Sequence, residues 1–189
     1  MGKDIKQRLD DLKAYLQNKD FLEGKGLSNE INFNIFTYEA KDEMVAQQFI
    51  KQLPEDPTLA CNVRVYNLYE LFLQILEDKK IPFKAIINME KTKGKLALQK
   101  QLTNSAKLEH FLDKMQYENH VPGKDVILIT GVGDVFPFMR VHTLLNGLQK
   151  IFQDIPVVTM YPGKYDGHYV TLFNELKPND YYRAFNIIE

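Results

Sequence analysis

Two glycine-bearing stretches hold the residues best suited to chemistry: Gly131-Val132-Gly133 and Pro162-Gly163-Lys164-Tyr165-Asp166-Gly167. Asp134, Arg140, His142, Tyr161, Lys164, Asp166 and His168 lie on or beside them. Backbone N–H groups in a glycine turn can approach an anion closely, and arginine or lysine can neutralise it. A histidine beside such a turn could act as a general base or a phosphate contact. These residues are the candidates for binding a ligand or a partner. The dinucleotide fingerprint is incomplete, because Gly131-x-Gly133-x-x-Phe136 puts a bulky ring where the third glycine belongs, and Pro137 follows. A G-x-G pair more often just lets the chain turn. For His142 the bland alternative is a ring hydrogen-bonded to a nearby carbonyl, and the same holds for His168.

Other chemistries find less support. The two serines, Ser28 and Ser105, lie outside any G-x-S-x-G elbow. Cys61 has no histidine near it in sequence and reads as a packed thiol. The four histidines show no H-x-x-x-H, no H-x-H and no partnering cysteine pair, so no structural zinc is expected. His110 and His120 read as surface residues. Gly24-Lys25-Gly26-Leu27-Ser28 lacks the P-loop spacing, and it precedes a strand instead of following one. Tyr181-Tyr182-Arg183 could stack bases or clamp a phosphate, or could cover a sheet edge with Arg183 in an internal salt bridge. The expectation is a chain without cofactor, metal or catalytic residues.

Charge is uneven along the chain. Formal net charge is −1, too small for a strong overall field to steer the molecule onto nucleic acid. Between Lys79 and Lys107, however, eight lysines face one acid, Glu90, a local excess of seven that leaves the rest at −8. Lys91, Lys93, Lys95 and Lys100 are its centre. A solvated helical surface is the plain reading, and a docking surface for an acidic partner or a phosphate backbone is the sharper one.

The elements that position these residues follow from hydrophobic spacing. Ile5, Leu9, Leu12 and Leu16 predict a helix over 4–18. Residues 31–36 alternate apolar and polar, as a strand with one wet face in its first half would. The next turn, 37–40, has no glycine and no lysine-serine or lysine-threonine pair, so a phosphate-cradling loop is missing where a nucleotide-binding sheet would carry it. A helix with Val45, Phe49 and Leu53 on one face follows, and Pro54 and Pro57 mark a loop. Residues 62–66 predict a strand. Asn67 and Glu70 form a capping box for a helix with the stripe Leu68, Leu71, Phe72, Ile75 and Leu76.

Residues 79–120 read as a lysine-rich helical insertion, with Leu108, Phe111, Leu112 and Met115 as one stripe capped by Asn104 or Ser105. The unbroken Val126-Ile127-Leu128-Ile129 run suits a central parallel strand buried on both faces. A helix over 138–152 then buries Val141, Leu144, Leu145, Leu148, Ile151 and Phe152, with Arg140, Thr143, Gly147 and Lys150 opposite. A second buried strand, 156–161, lies parallel to the first because a helical crossover joins them. A last strand spans 184–188. Both glycine stretches should then meet at the carboxyl edge of the sheet, where ligands of α/β proteins bind.

The length of 189 residues fits one domain, 1–189, as a three-layer α/β fold with a mostly parallel sheet of about five strands and flanking helices. An apolar fraction of 44% and a single cysteine suit a reduced, cytoplasmic protein, and no apolar run reaches the roughly 20 residues that span a bilayer.

Several segments together resemble a known family. They are Gly24-Lys25-Gly26-Leu27-Ser28-Asn29-Glu30, Thr130-Gly131-Val132-Gly133, and Phe136-Pro137-Phe138-x-Arg140-x-His142-x-x-Leu145-Asn146-x-Leu148-Gln149. Pro156-Val157-Val158, Tyr161-Pro162-Gly163-x-Tyr165-Asp166-Gly167 and Tyr181-Tyr182-Arg183-Ala184-Phe185 complete the set. The chain resembles the BrxB family, small core proteins of bacterial BREX phage-defence systems. The resemblance is strongest from 125 to 188, and the 79–120 stretch contributes nothing to it. It implies a cytoplasmic, non-enzymatic interaction subunit of an antiviral complex. Its partners would be other BREX proteins: chiefly a PglZ-like protein of alkaline-phosphatase type, with a large ATPase and an adenine methyltransferase. It also implies a degenerate P-loop-NTPase-like or Rossmann-like sheet without a phosphate-binding loop, and it marks Arg140, His142 and Asp166 as typical without giving them a role. A nucleotide- or nucleic-acid-binding subunit of the same system is the alternative.

Overall fold

A computed structural model describes residues 3–24, 33–166, 170–174 and 185–188. The central strands are Phe33–Tyr38 (β1), Asn62–Asn67 (β2), Asp125–Thr130 (β3) and Val157–Tyr165 (β4). Val170–Leu172 (β5) and Phe185–Asn186 (β6) complete a six-stranded sheet. The order is β2-β3-β4-β1-β6, every pair along that path being parallel, while β5 runs antiparallel to the end of β4.

Neighbouring residues of each central strand point to opposite faces and so join different cores. Ile127 and Ile129 belong to one cluster, and Val126 and Leu128 to the other. The first cluster is covered by Leu68–Asp78 (α4), Leu108–Met115 (α7) and Val141–Leu148 (α9), and the second by Ile5–Leu16 (α1) and Glu43–Gln52 (α3). This is the three-layer α/β arrangement with parallel β3 and β4 that the apolar runs require. All six residues of β3 are buried.

The local signals act as their chemistry dictates. The side chain of Asn67 accepts hydrogen bonds from the N–H groups of Tyr69 and Glu70, and the whole stripe Leu68, Leu71, Phe72, Ile75 and Leu76 is buried. A full capping box occurs instead at α1, where Asp4 accepts from the N–H of Gln7 and Gln7 returns a bond to the N–H of Asp4. The D-x-x-Q spacing there is the sequence signal. After α4 come Phe83–Lys93 (α5) and Lys95–Ser105 (α6), so the lysine-rich stretch is helical.

Several expectations change. Asn34 is 2% exposed, so among the described residues β1 lacks the wet face expected of its first half. On α3 the buried residues are Ala46, Ile50 and, just beyond, Leu53, whereas Val45 is exposed and Phe49 half-buried. The inward stripe thus runs through Ala46 and Ile50, one position on from Val45 and Phe49, and keeps Leu53. α7 starts after Lys107 with no side-chain cap, and Ser105 instead donates back to the carbonyl of Gln101. The last crossover helix is shorter than 138–152, and Gly147 is buried against Leu108 and Leu112 of α7. Phe138 leaves the helix to stack on Phe72, with ring centroids 4.6 Å apart. His110 is half-buried, with Nδ1 enclosed and unpartnered.

The largest change is at 161–165. Pro162, Gly163, Lys164 and Tyr165 are not a glycine turn but the continuation of β4, with Gly163 opposite Leu172 and Lys164 opposite Thr171. A Cβ at Gly163 would collide with the carbonyl oxygen of Thr171, so glycine there serves close strand approach.

Candidate functional site

The carboxyl ends of the parallel strands define the rim where the glycine stretches were expected to meet. Tyr38, Asn67, Thr130 and the middle of β4 reach it together. β3 leaves the sheet through Gly131, whose φ of +71° is the left-handed region that glycine adopts without strain, and enters the short helix Val132–Val135 (α8). A Cβ on Gly131 would meet the amide oxygen of Asn67, the residue that caps α4. One on Gly133 would come within 2.5 Å of the Phe173 ring. Side chains of Asn67 and Phe173 therefore pack directly against these two glycines.

The candidate residues divide on this frame. Asp134 and Lys164 approach the end of β1. The phenol of Tyr38 donates to Glu43 at 2.8 Å, and burial, reinforced by Glu43 and then Asp134, drives its pKa far above that of an ordinary tyrosine. The exposed Glu39 carboxylate is held below its usual range first by Lys41 and also by Lys164. Asp134, Lys164 and Asp166 are exposed. Tyr161 is 6% exposed and belongs to the core, and its burial pushes the phenol up to about 12. Arg140 is exposed at the N-cap of α9, and His142 Nε2 lies 3.1 Å from the Thr143 hydroxyl. His168 falls outside the described residues, as do Tyr181, Tyr182 and Arg183 and most of the 24–30 turn.

A groove of about 630 Å³, which the sequence did not suggest, opens beside this rim. Met44, Gln48 and Lys51 of α3 line it, with Val65 and Asn67 of β2 and Thr130 of β3. Asn67 gave the one usable sign, because a capping residue directly after a strand must stand at the rim.

At the opposite end, Asp125 accepts from the Asn62 amide at 2.7 Å and from the Val121 N–H and the Tyr117 hydroxyl, each at 3.0 Å. Burial pulls this carboxyl upward, but the three donors outweigh it and hold its pKa below the ordinary value. Arg64 lies 3.9 Å above the Tyr117 ring. This network fastens the end of the helical insertion to β2 and β3. Among the described residues no group of histidine, cysteine and carboxylates could hold a metal ion, and no helix is long and apolar enough to cross a membrane.

Fold and rim together define an open α/β protein whose first strand ends without a phosphate loop. The chain belongs to the BrxB family: the family's description, "BREX protein BrxB", matches residues 64–187. That match runs through 79–120, which the sequence resemblance left out. A BREX protein BrxB of Bacillus cereus (strain H3081.97) is 38% identical, covering 98% of each chain. Another, of Escherichia coli O9:H4 (strain HS), is 27% identical over 97% of this chain and 92% of its own. No solved structure matches. The chain is thus a BREX-system protein, and a role in phage defence comes with that membership.

Proposed function

We propose that the protein is a non-enzymatic interaction subunit of a cytoplasmic BREX complex, formed as one α/β domain that docks on the PglZ-like component. The observation that carries this reading is the filled glycine turn. Asn67 and Phe173 stand where a phosphate would need open backbone, so the glycines serve packing between α4, α8 and the β4–β5 hairpin. A sheet whose glycine turns are given to internal contacts is suited to presenting surfaces. Other BREX proteins, the ATPase and the methyltransferase among them, are further partners in this reading. Co-purification of tagged chain with the co-expressed PglZ-like protein at physiological salt tests it. Stoichiometric retention is expected, and recovery of the chain without any BREX component overturns it.

One observation favours a second reading, a nucleotide- or nucleic-acid-binding subunit: the rim groove is large enough for a small ligand, and Lys91, Lys93, Lys95 and Lys100 are exposed. Duplex binding through several phosphates would weaken by roughly tenfold or more between about 50 and 200 mM salt. Binding without that dependence, or none, removes it.

A further inference from the structure

α5 and α6 form a pair that gives little to the core. α5 buries no residue and α6 only Leu102 and Ser105, although Ile86 and Leu98 lean on the body. Their outward surface is unusual in two ways. Phe83 is 74% exposed, Leu96 84% and Ile87 38%, large apolar side chains left in water. Helical spacing puts Phe83 and Ile87 on one face of α5 beside Lys84 and Lys91, and puts Leu96 next to Lys100 on α6. The lysines are also uncompensated. Among the described residues none of Lys79, Lys80, Lys84, Lys91, Lys93, Lys95, Lys100 and Lys107 makes an ion pair.

A surface that merely keeps a helix soluble would not carry a Phe and a Leu at its most exposed points. Bidentate recognition of a phosphate uses the planar fork of arginine, and residues 79–107 contain none. Apolar anchors in a ring of lysines whose one acid is Glu90, on the same face of α5 as Phe83 and Ile87, fit a protein interface with a buried centre and a polar rim. The ring is cationic, so complementarity requires an acidic rim opposite.

We propose that the α5–α6 pair is the docking arm of this protein, seating Phe83, Ile87 and Leu96 in an apolar cleft bordered by carboxylates on a partner protein. This rests on the interaction-subunit reading and names the surface and the chemistry it selects.

The test uses tagged full-length chain co-expressed with the other BREX proteins, nuclease-treated and washed at two salt concentrations. Three forms are compared: wild type, Phe83→Asp with Leu96→Asp, and Lys91→Glu with Lys93→Glu and Lys95→Glu. Circular dichroism checks folding, which exposed substitutions should leave intact. Retention of a BREX component should fall about tenfold or more in the apolar double variant and by a smaller, salt-dependent factor in the charge-reversed one. If wild type retains a component and the apolar variant retains it equally, the arm is not the docking site, although the subunit reading survives. If wild type retains nothing, the subunit reading itself falls. Loss in the charge-reversed form alone, matched by loss of duplex DNA binding, would make the surface a nucleic-acid contact and overturn the proposal.

Discussion

The amide oxygen of Asn67 fills the place where a Cβ on Gly131 would stand. One atom thus links two roles, since the same oxygen accepts from Tyr69 and Glu70 to start α4. The end of β2, the exit from β3 and the start of a core helix are locked to one another at the rim.

Gly131→Ala should therefore be costly. A non-glycine residue at φ +71° is strained, and relieving the clash moves the cap away from α4. The expected loss is about 2–4 kcal/mol, combining backbone strain with a damaged cap. Urea unfolding measures it, and Asn67→Ala should lose only the cap, about 1 kcal/mol. Equal midpoints for wild type and Gly131→Ala would refute the packing account.

Arg8 holds the far edge. Its Nη2 donates to the carbonyls of Thr37 at 2.8 Å and Ile188 at 3.0 Å, and its guanidinium lies 4.9 Å from the Phe36 ring. Arg8→Ala should loosen β6, so that the amide of Ile187, bonded to the carbonyl of Ile35, exchanges faster while those of β3 do not. Hydrogen exchange followed by NMR would show whether the two regions separate.

Acid should attack the opposite end of the sheet. The folded state holds the Asp125 carboxyl below its unfolded pKa, so the stabilisation is complete above that unfolded value of about 4 and fades as pH falls through the folded one. Asp125→Asn should flatten the acid limb of a stability–pH curve and cost about 1–3 kcal/mol at neutral pH. Parallel acid limbs for the two proteins would count against this network.

Alkali should act through buried phenols. Tyr161 titrates near 12 in the fold and near 10 unfolded, so its stabilisation is intact below about 10 and drains away as pH climbs toward 12. Tyr161→Phe should be nearly neutral at pH 7 and lose stability less steeply above pH 10. Thermal melts across that range decide it; an unchanged slope would mean that Tyr161 is not the group responsible.

The buried runs 126–130 and 156–161 were readable because a parallel sheet covered on both faces needs them, and so were the strand at 62–66 and the α4 stripe. What the sequence could not show was how neighbours fill space. Gly163 reads as a turn until β5 lies beside it, since glycine serves a turn and a tight strand pair equally well. Val45, Phe49 and Leu53 satisfy helical periodicity as well as Ala46, Ile50 and Leu53, and only contact with the sheet chooses between them. Asp134 lies just beyond β3, whereas Lys164, read as part of a turn, is a residue of β4, and Tyr161 belongs to the core.

β4 spends its first residues between β3 and β1 and its last three paired with β5. Lys164 and Tyr165 therefore stand on the same strand that fills the middle of the sheet, so a molecule that touches them touches an extension of the core's own scaffold.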